Sequence, residues 1–300
     1  MRTANVRATA VQPYARAGMG VKLARRLNRA VLYAIAAILV FVFMGPFLWT
    51  LGSSLKTPQE IATFPPTLFP TKPRFQNYAD VFTMVPMALF ARNTMQVTLL
   101  AVIGQVTSAT LVAYGFSRFR FPFRDVLFTL LISTLILPRE VLLIPTFLLY
   151  KLLGLLDTLT PLWLPSFFAG AFYVFLLRQF FLTLPLDLDE AAKIDGANEL
   201  TILWRIIVPL SQPAMATAAI FAFLTHWNDF LEPLIYLNNK NNFTLALGLR
   251  YFQTLPNDAQ EPRDQLMMAA SLIVTFPVLV LFFATQRYFI RGIVMSGIKG

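Results

Sequence analysis

The sequence predicts an all-α, polytopic membrane protein with six transmembrane helices, and three observations carry that expectation. Of 300 residues, 57% are hydrophobic and only 13% charged, with a mean hydropathy of +0.62, outside the usual balance of a water-soluble domain. The apolar residues gather in charge-free windows, and a helix needs about 20 such residues to cross roughly 30 Å of hydrocarbon. The 25 Lys and Arg residues collect on alternate connecting segments, as topology signals do.

In chain order, the first crossing is the window between Arg29 and Lys56. Its apolar run exceeds a signal-peptide core and no small-x-small cleavage pattern follows, so it is expected to remain as a crossing. Lys56 to Leu89 forms the first outside segment, where Pro58, Pro65, Pro66, Pro70, Pro73 and Pro86 argue for an ordered, irregular loop with room for one short helix. The second crossing lies between Arg92 and Arg118 and leads through a short basic turn, Ser117 to Arg124. The third, Val126 to Tyr150, is interrupted by Arg139 and Glu140, and its Pro138 and Pro145 predict a kinked helix. The fourth lies between Asp157 and Arg178, the fifth between Arg205 and Asp229, and the sixth between Asp264 and Arg287. A polar outside excursion, Asn238 to Asp264, separates the last two; its Asn242-Phe243-Thr244 matches a glycosylation acceptor, read here as accidental.

Orientation follows from the cations. Arg139 sits in the third crossing; of the other 24, sixteen fall on the side of the amino terminus and eight on the opposite side, which puts both termini in the cytoplasm. The expected organisation is a basic cytoplasmic tail over residues 1–29 and a transmembrane domain over 30–300, with a cytoplasmic loop at about 184–213. A net charge of +10 is then an orientation signal, since too little polar sequence remains to build a nucleic-acid-binding face. With no cysteine and a single histidine, His226, thiolate chemistry and a multi-histidine metal site are excluded. A Gly-x-x-x-x-Gly-Lys-Ser/Thr phosphate loop is absent, so the chain does not hydrolyse ATP by itself. No catalytic residue, metal or cofactor is expected in it.

The 184–213 loop is the most informative stretch. Pro185 ends the preceding segment. Asp187 is placed to cap a new helix, with Glu190 three residues on completing a capping box. Ala191 and Ala192 leave a smooth patch that another surface can approach. Gly196 stands where the helix needs a left-handed residue to end, and Asn198 is placed to cap a second short helix. Ile206, Val208 and Pro209 lead back into the membrane. The prediction is a helix-turn-helix lying along the cytoplasmic face.

The residues EAAKIDGANELTILWRIIVP, Glu190 to Pro209, resemble the EAA loop of permease subunits in bacterial ABC importers. They depart at Val208, where the family usually has leucine. HWNDFLEPLIYL, His226 to Leu237, and QRYFIRGIVMSGIKG, Gln286 to Gly300, are similar to the carbohydrate branch, in particular the smaller permease of maltose-type systems. The resemblance runs from about Asn28 onward. It implies a type I ABC importer permease fold forming half of a translocation path, with Glu190, Ala191, Ala192, Asp195, Gly196, Ala197, Ile206 and Pro209 coupling it to a separate ATPase. The partners implied are a second homologous permease, an ABC ATPase dimer that binds ATP and Mg, an extracytoplasmic sugar-binding protein that selects the sugar, and bacterial inner-membrane lipid. The alternative is a self-contained, ion-coupled secondary transporter. That would need a buried acidic relay, or helices broken at midplane in symmetric halves, and neither is legible.

Trp227, Asn228, Asp229 and Glu232, at the outer end of the fifth crossing, are the candidate substrate path. An aromatic face suits sugar C–H surfaces, and amides and carboxylates suit hydroxyls; the competing reading is an interfacial tryptophan at a helix end. Arg139 and Glu140 are adjacent and cannot face each other on a helix. They are assigned to pairing with the partner permease or to gating. His226 is given no ligand role.

Overall fold

Backbone groups in hydrocarbon have no water to bond, so a spanning chain must satisfy them within each segment. The structure, a computed structural model, describes residues 19–254 and 263–296, and among these there is helix and no strand. Residues 1–18 of the expected tail, the tip of the last outside excursion and the final four residues lie outside the described residues.

The helices are α1 (Met19–Ser54), α2 (Pro58–Ile61), α3 (Gln76–Met84), α4 (Met87–Arg118), α5 (Arg124–Ser133), α6 (Arg139–Leu152), α7 (Thr160–Trp163), α8 (Ala171–Phe181), α9 (Asp187–Ile194), α10 (Glu199–Ile202), α11 (Val208–Leu210), α12 (Gln212–Trp227), α13 (Leu231–Tyr236), α14 (Leu245–Thr254) and α15 (Asp264–Ser296). Four stretches are each long and apolar enough to cross a membrane: Arg26–Ser54, α4, Thr160–Phe181 and Asp264–Gln286. Two further pairs, α5 with α6 and the 199–210 stretch with α12, are bent by 98° and 82°. Each counted as one span, they complete the six crossings.

The third crossing is broken where a kink was expected. The chain leaves helix at Leu137, which is extended at φ −75°, ψ 120°, and re-enters after Pro138. Proline disfavours helical backbone in the residue before it, so Pro138 stops the helix, while Pro145 is carried inside α6. The first outside segment holds two helices in place of one. Thr57 and Glu60 close a full capping box on α2, and α3 buries Val81 among the core side chains. The last excursion is less polar than its sequence, since α14 buries Leu245, Leu247 and Phe252.

By contact the chain falls into two units, Met1–Thr50 and Leu51–Gly300. The described part of the first is helix α1 up to Thr50, whose apolar side chains, such as Phe41 and Phe43, are exposed. The second is organised on α4, which packs against α8, α12 and the 3-10 segment Leu164–Phe168. Small residues permit this close approach, as in membrane helix pairs generally. Ala101, Ala109 and Ala113 are fully buried, and at Gly104 the Phe167 ring occupies the space a Cβ would need.

One junction ties the asparagine-rich excursion to the turn before α7. Asp157 Oδ1 accepts the backbone N–H groups of Asn238 and Asn239 at 2.9 and 2.8 Å. Those two bonds hold its carboxyl below the usual carboxylate range. Asn242, the apparent glycosylation acceptor, already donates its amide to the Asp157 carbonyl. Asn93 of α4 donates to the carbonyls of Asn241 and Phe243 at 2.7 and 3.0 Å.

Candidate functional site

The 184–213 loop folds as a helix-turn-helix. Its first helix begins with Leu186 as N-cap, and no side-chain cap bond forms. The capping box expected from Asp187 and Glu190 is therefore absent: the helix starts one residue early, so Asp187, Asp189 and Glu190 all lie in its first turn, where the helix dipole favours carboxylates. Gly196 follows with φ +84°, the left-handed residue that ends α9. Asn198 Oδ1 then accepts the Thr201 amide at 2.8 Å, capping α10 as expected. A π-helical turn, Leu203–Ile207, joins α10 to α11.

The underside of the loop is anchored in the core. Ala192, Ile202, Leu203 and Ile207 pack with Ala109, Ala113 and Tyr114 of α4 and Val174 and Leu177 of α8. Ala192 is thus buried, not part of a smooth outer patch with exposed Ala191. Alternating faces separate the two alanines because adjacent residues on a helix point about 100° apart. Beside this contact, Arg118 Nε pairs with Asp189 Oδ2 at 2.9 Å, the two side chains only 4% and 10% exposed. Arg118 also donates to the Leu184 carbonyl at 3.2 Å. Burial pushes the Asp189 carboxyl up from its ordinary value, and Arg118 pulls against it. Tyr114 donates its hydroxyl to Glu199 at 2.9 Å, and Lys193 pairs with the other oxygen of Glu199 at 2.7 Å. The Lys193 hydrogen bond, then that of Tyr114, holds Glu199 below its ordinary pKa against burial.

The outer face differs in character. Glu190, Asp195, Gly196 and Pro209 are exposed, and Ala197 and Ile206 are half-buried. Between them stand apolar side chains that the sequence reading passed over: Ile194 is 87% exposed, Leu200 62% and Trp204 46%. Leu200 and Trp204, four apart, share a helix face. Large apolar residues inside a polar connecting loop were the available signal.

The candidate substrate path is divided by the structure. Trp227 is 2% exposed, donates its indole N–H to the Val274 carbonyl at 3.1 Å and stacks on Phe223 at 5.2 Å. It belongs to the core between α12 and α15, which removes it from any sugar-stacking surface. Trp227→Ala is therefore expected to cost about 3–5 kcal/mol of stability, read as an earlier unfolding transition in detergent. Asn228 is exposed and bonds back to the Leu224 carbonyl, and Asp229 is half-buried before α13.

Glu232 alone of that group lines a cavity of about 460 Å³. There it meets Arg139, Nη2 to Oε1 at 2.7 Å. Arg139 thus has a counter-charge on its own chain, while its side chain stays 65% exposed. Glu140 is exposed beside it. His226, given no role from sequence, also lines the cavity. Among the described residues no group of three or more metal-ligating side chains is assembled.

A family model described as the inner membrane component of binding-protein-dependent transport systems matches residues 17–295. The chain is 32% identical over 282 residues to the lactose transport system permease protein LacG of Rhizobium radiobacter, covering 93% of this chain and 99% of that one. It is 33% identical over 268 residues to the sn-glycerol-3-phosphate transport system permease protein UgpE of Pectobacterium atrosepticum, covering 87% and 92%. Among solved structures, a chain of a bacterial ABC transporter involved in importing the acidic polysaccharide alginate superposes with a TM-score of 0.78 at 23% identity, covering 93% of this chain and all of that one. A helical fold with six crossings, an ordered loop between the fourth and fifth, and a family match over nearly the whole length agree: the chain belongs to the inner membrane components of binding-protein-dependent transport systems.

Proposed function

We propose that the chain is the permease subunit of an ATP-driven sugar importer, forming half of its translocation path and docking through the 184–213 loop on a separate ATPase. The observation that carries the docking is the exposure of three large apolar side chains, Ile194, Leu200 and Trp204, on a loop whose helices are pinned to the core by Arg118 and Tyr114. A rigid base carrying exposed apolar side chains fits a protein groove. Of the residues assigned to coupling, Glu190, Ala191, Asp195, Gly196 and Pro209 are exposed and open to a partner, Ala197 and Ile206 are half-buried, and Ala192 packs into the core. The cation bias supports a cytoplasmic position for this loop and both termini.

The partners that complete the assembly are a second homologous permease, an ABC ATPase dimer holding ATP and Mg, and an extracytoplasmic sugar-binding protein. This subunit takes no chemical part in hydrolysis and carries no cofactor. ATP binding and hydrolysis shift the membrane part between outward-open and inward-open populations, and loaded binding protein favours the former. A polyhydroxylated cargo is supported by the names of the relatives, which carry lactose and sn-glycerol 3-phosphate.

A mild-detergent pull-down from native membranes tests this, with wild type and Leu200→Glu in parallel and partners identified by mass spectrometry. The expected outcome is recovery of a second permease and an ATPase with the wild type, and loss of the ATPase alone with the variant. Recovery of only this chain from both would point to a self-contained transporter.

A further inference from the structure

The cavity within Leu51–Gly300, at about 460 Å³, falls in the size range of small-molecule sites. Three polar side chains from three different elements reach its wall: Gln105 from α4, Ser166 from the 3-10 segment and His226 from the last turn of α12. Ser166 Oγ and His226 Nε2 stand 3.2 Å apart. Gln105 is 6% exposed, its amide lies against Gly170, and its Nε2 has no hydrogen-bond partner in the protein. A buried amide donor left unbonded is costly, and a cavity beside it is where the missing acceptor would sit.

The chemistry of the three is uniform. An amide, a hydroxyl and a neutral imidazole each both donate and accept. A row of sugar hydroxyls, which also donate and accept, matches that pattern; a lone ion does not. Tyr150 and Tyr236, edge to face at 5.2 Å, add rings for the apolar C–H face of a pyranose. Arg139 and Glu232 on the same wall neutralise each other, so the lining offers no net charge to the cargo.

Taking the chain as a sugar permease, we propose that Gln105, Ser166 and His226 form a hydroxyl-recognising subsite at which this subunit itself holds part of a sugar in transit. Selection then occurs twice, once on the binding protein and once here.

The lack of cysteine in the chain supplies a clean test. Thr225→Cys, on the cavity wall next to His226, gives this subunit a single thiol. In the assembled importer in nanodiscs, the rate at which a small uncharged methanethiosulfonate modifies that thiol is measured on this chain by mass spectrometry, with and without lactose. Lactose at about nine times its Kd is expected to slow modification about tenfold, as nine-tenths occupancy would. Gln105→Leu or His226→Leu should remove the protection, and His226→Gln, which keeps a hydrogen-bonding group toward Ser166, should restore it. Unchanged rates with both lactose and sn-glycerol 3-phosphate would overturn the subsite, as would protection that survives both leucine variants. Failure of the importer reading would show separately, as loss of ATPase and second permease from the wild-type assembly before any thiol is introduced.

Discussion

Gly196→Asp is expected to abolish uptake and strip the ATPase from the purified assembly while the chain stays inserted at near wild-type amount. The fold tolerates the change on two grounds. Nothing lies within 4 Å of a Cβ built at Gly196, and its φ of +84° costs most side chains about 1–2 kcal/mol, with aspartate among the best tolerated there. The docking face does not tolerate it. The new carboxylate would stand beside Asp195 in the exposed turn between Ile194 and Leu200, and burying an unpaired charge in an apolar groove costs several kcal/mol. Each 1.4 kcal/mol is tenfold in binding, so recovery of the ATPase should fall by more than a hundredfold. Gly196→Ala separates the two effects, since it brings the backbone strain without the charge; wild-type uptake by Gly196→Asp would end the coupling role of this turn.

Asp189→Ala is expected to destabilise the chain by about 3–5 kcal/mol, because it leaves Arg118 buried without its partner. Removing both charges together, as Arg118→Met with Asp189→Leu, should recover most of that loss, since a buried ion pair replaced by apolar side chains is often neutral. Unfolding in detergent reads both, and limited proteolysis in the 184–213 loop reads whether the loop loosens. Equal melting of single and double variants would show that the pair contributes no specific hold on the loop.

What was legible in the sequence is what physical chemistry writes locally. A crossing is a run without charge, so its approximate place can be read residue by residue. The turn between α9 and α10 was legible because Gly196 and Asn198 each do something only a few residue types do. The rest depends on partners far along the chain. Tyr114 and Glu199 are 85 positions apart and Arg139 and Glu232 are 93 apart, and no pattern near any of them names the other. Trp227 shows the same limit from the opposite side. A tryptophan before Asn and Asp at a helix end reads as an interfacial or ligand-facing ring, and only the packing of α15 reveals that it is covered. Gln105 went unnoticed because one amide in an apolar helix has no signature until the cavity beside it is seen.

The seating of Phe167 against Gly104 has a mechanical consequence. The Phe167 ring, itself 42% exposed, fills the notch that Gly104 leaves in α4, so a larger residue at 104 would have to displace it. Sliding the Leu164–Phe168 segment along α4 would first have to turn that ring out of its notch, which ties the two elements to each other. The helix breaks before Pro138 and at Ser211, bent by 98° and 82°, lie outside that contact and leave it undisturbed.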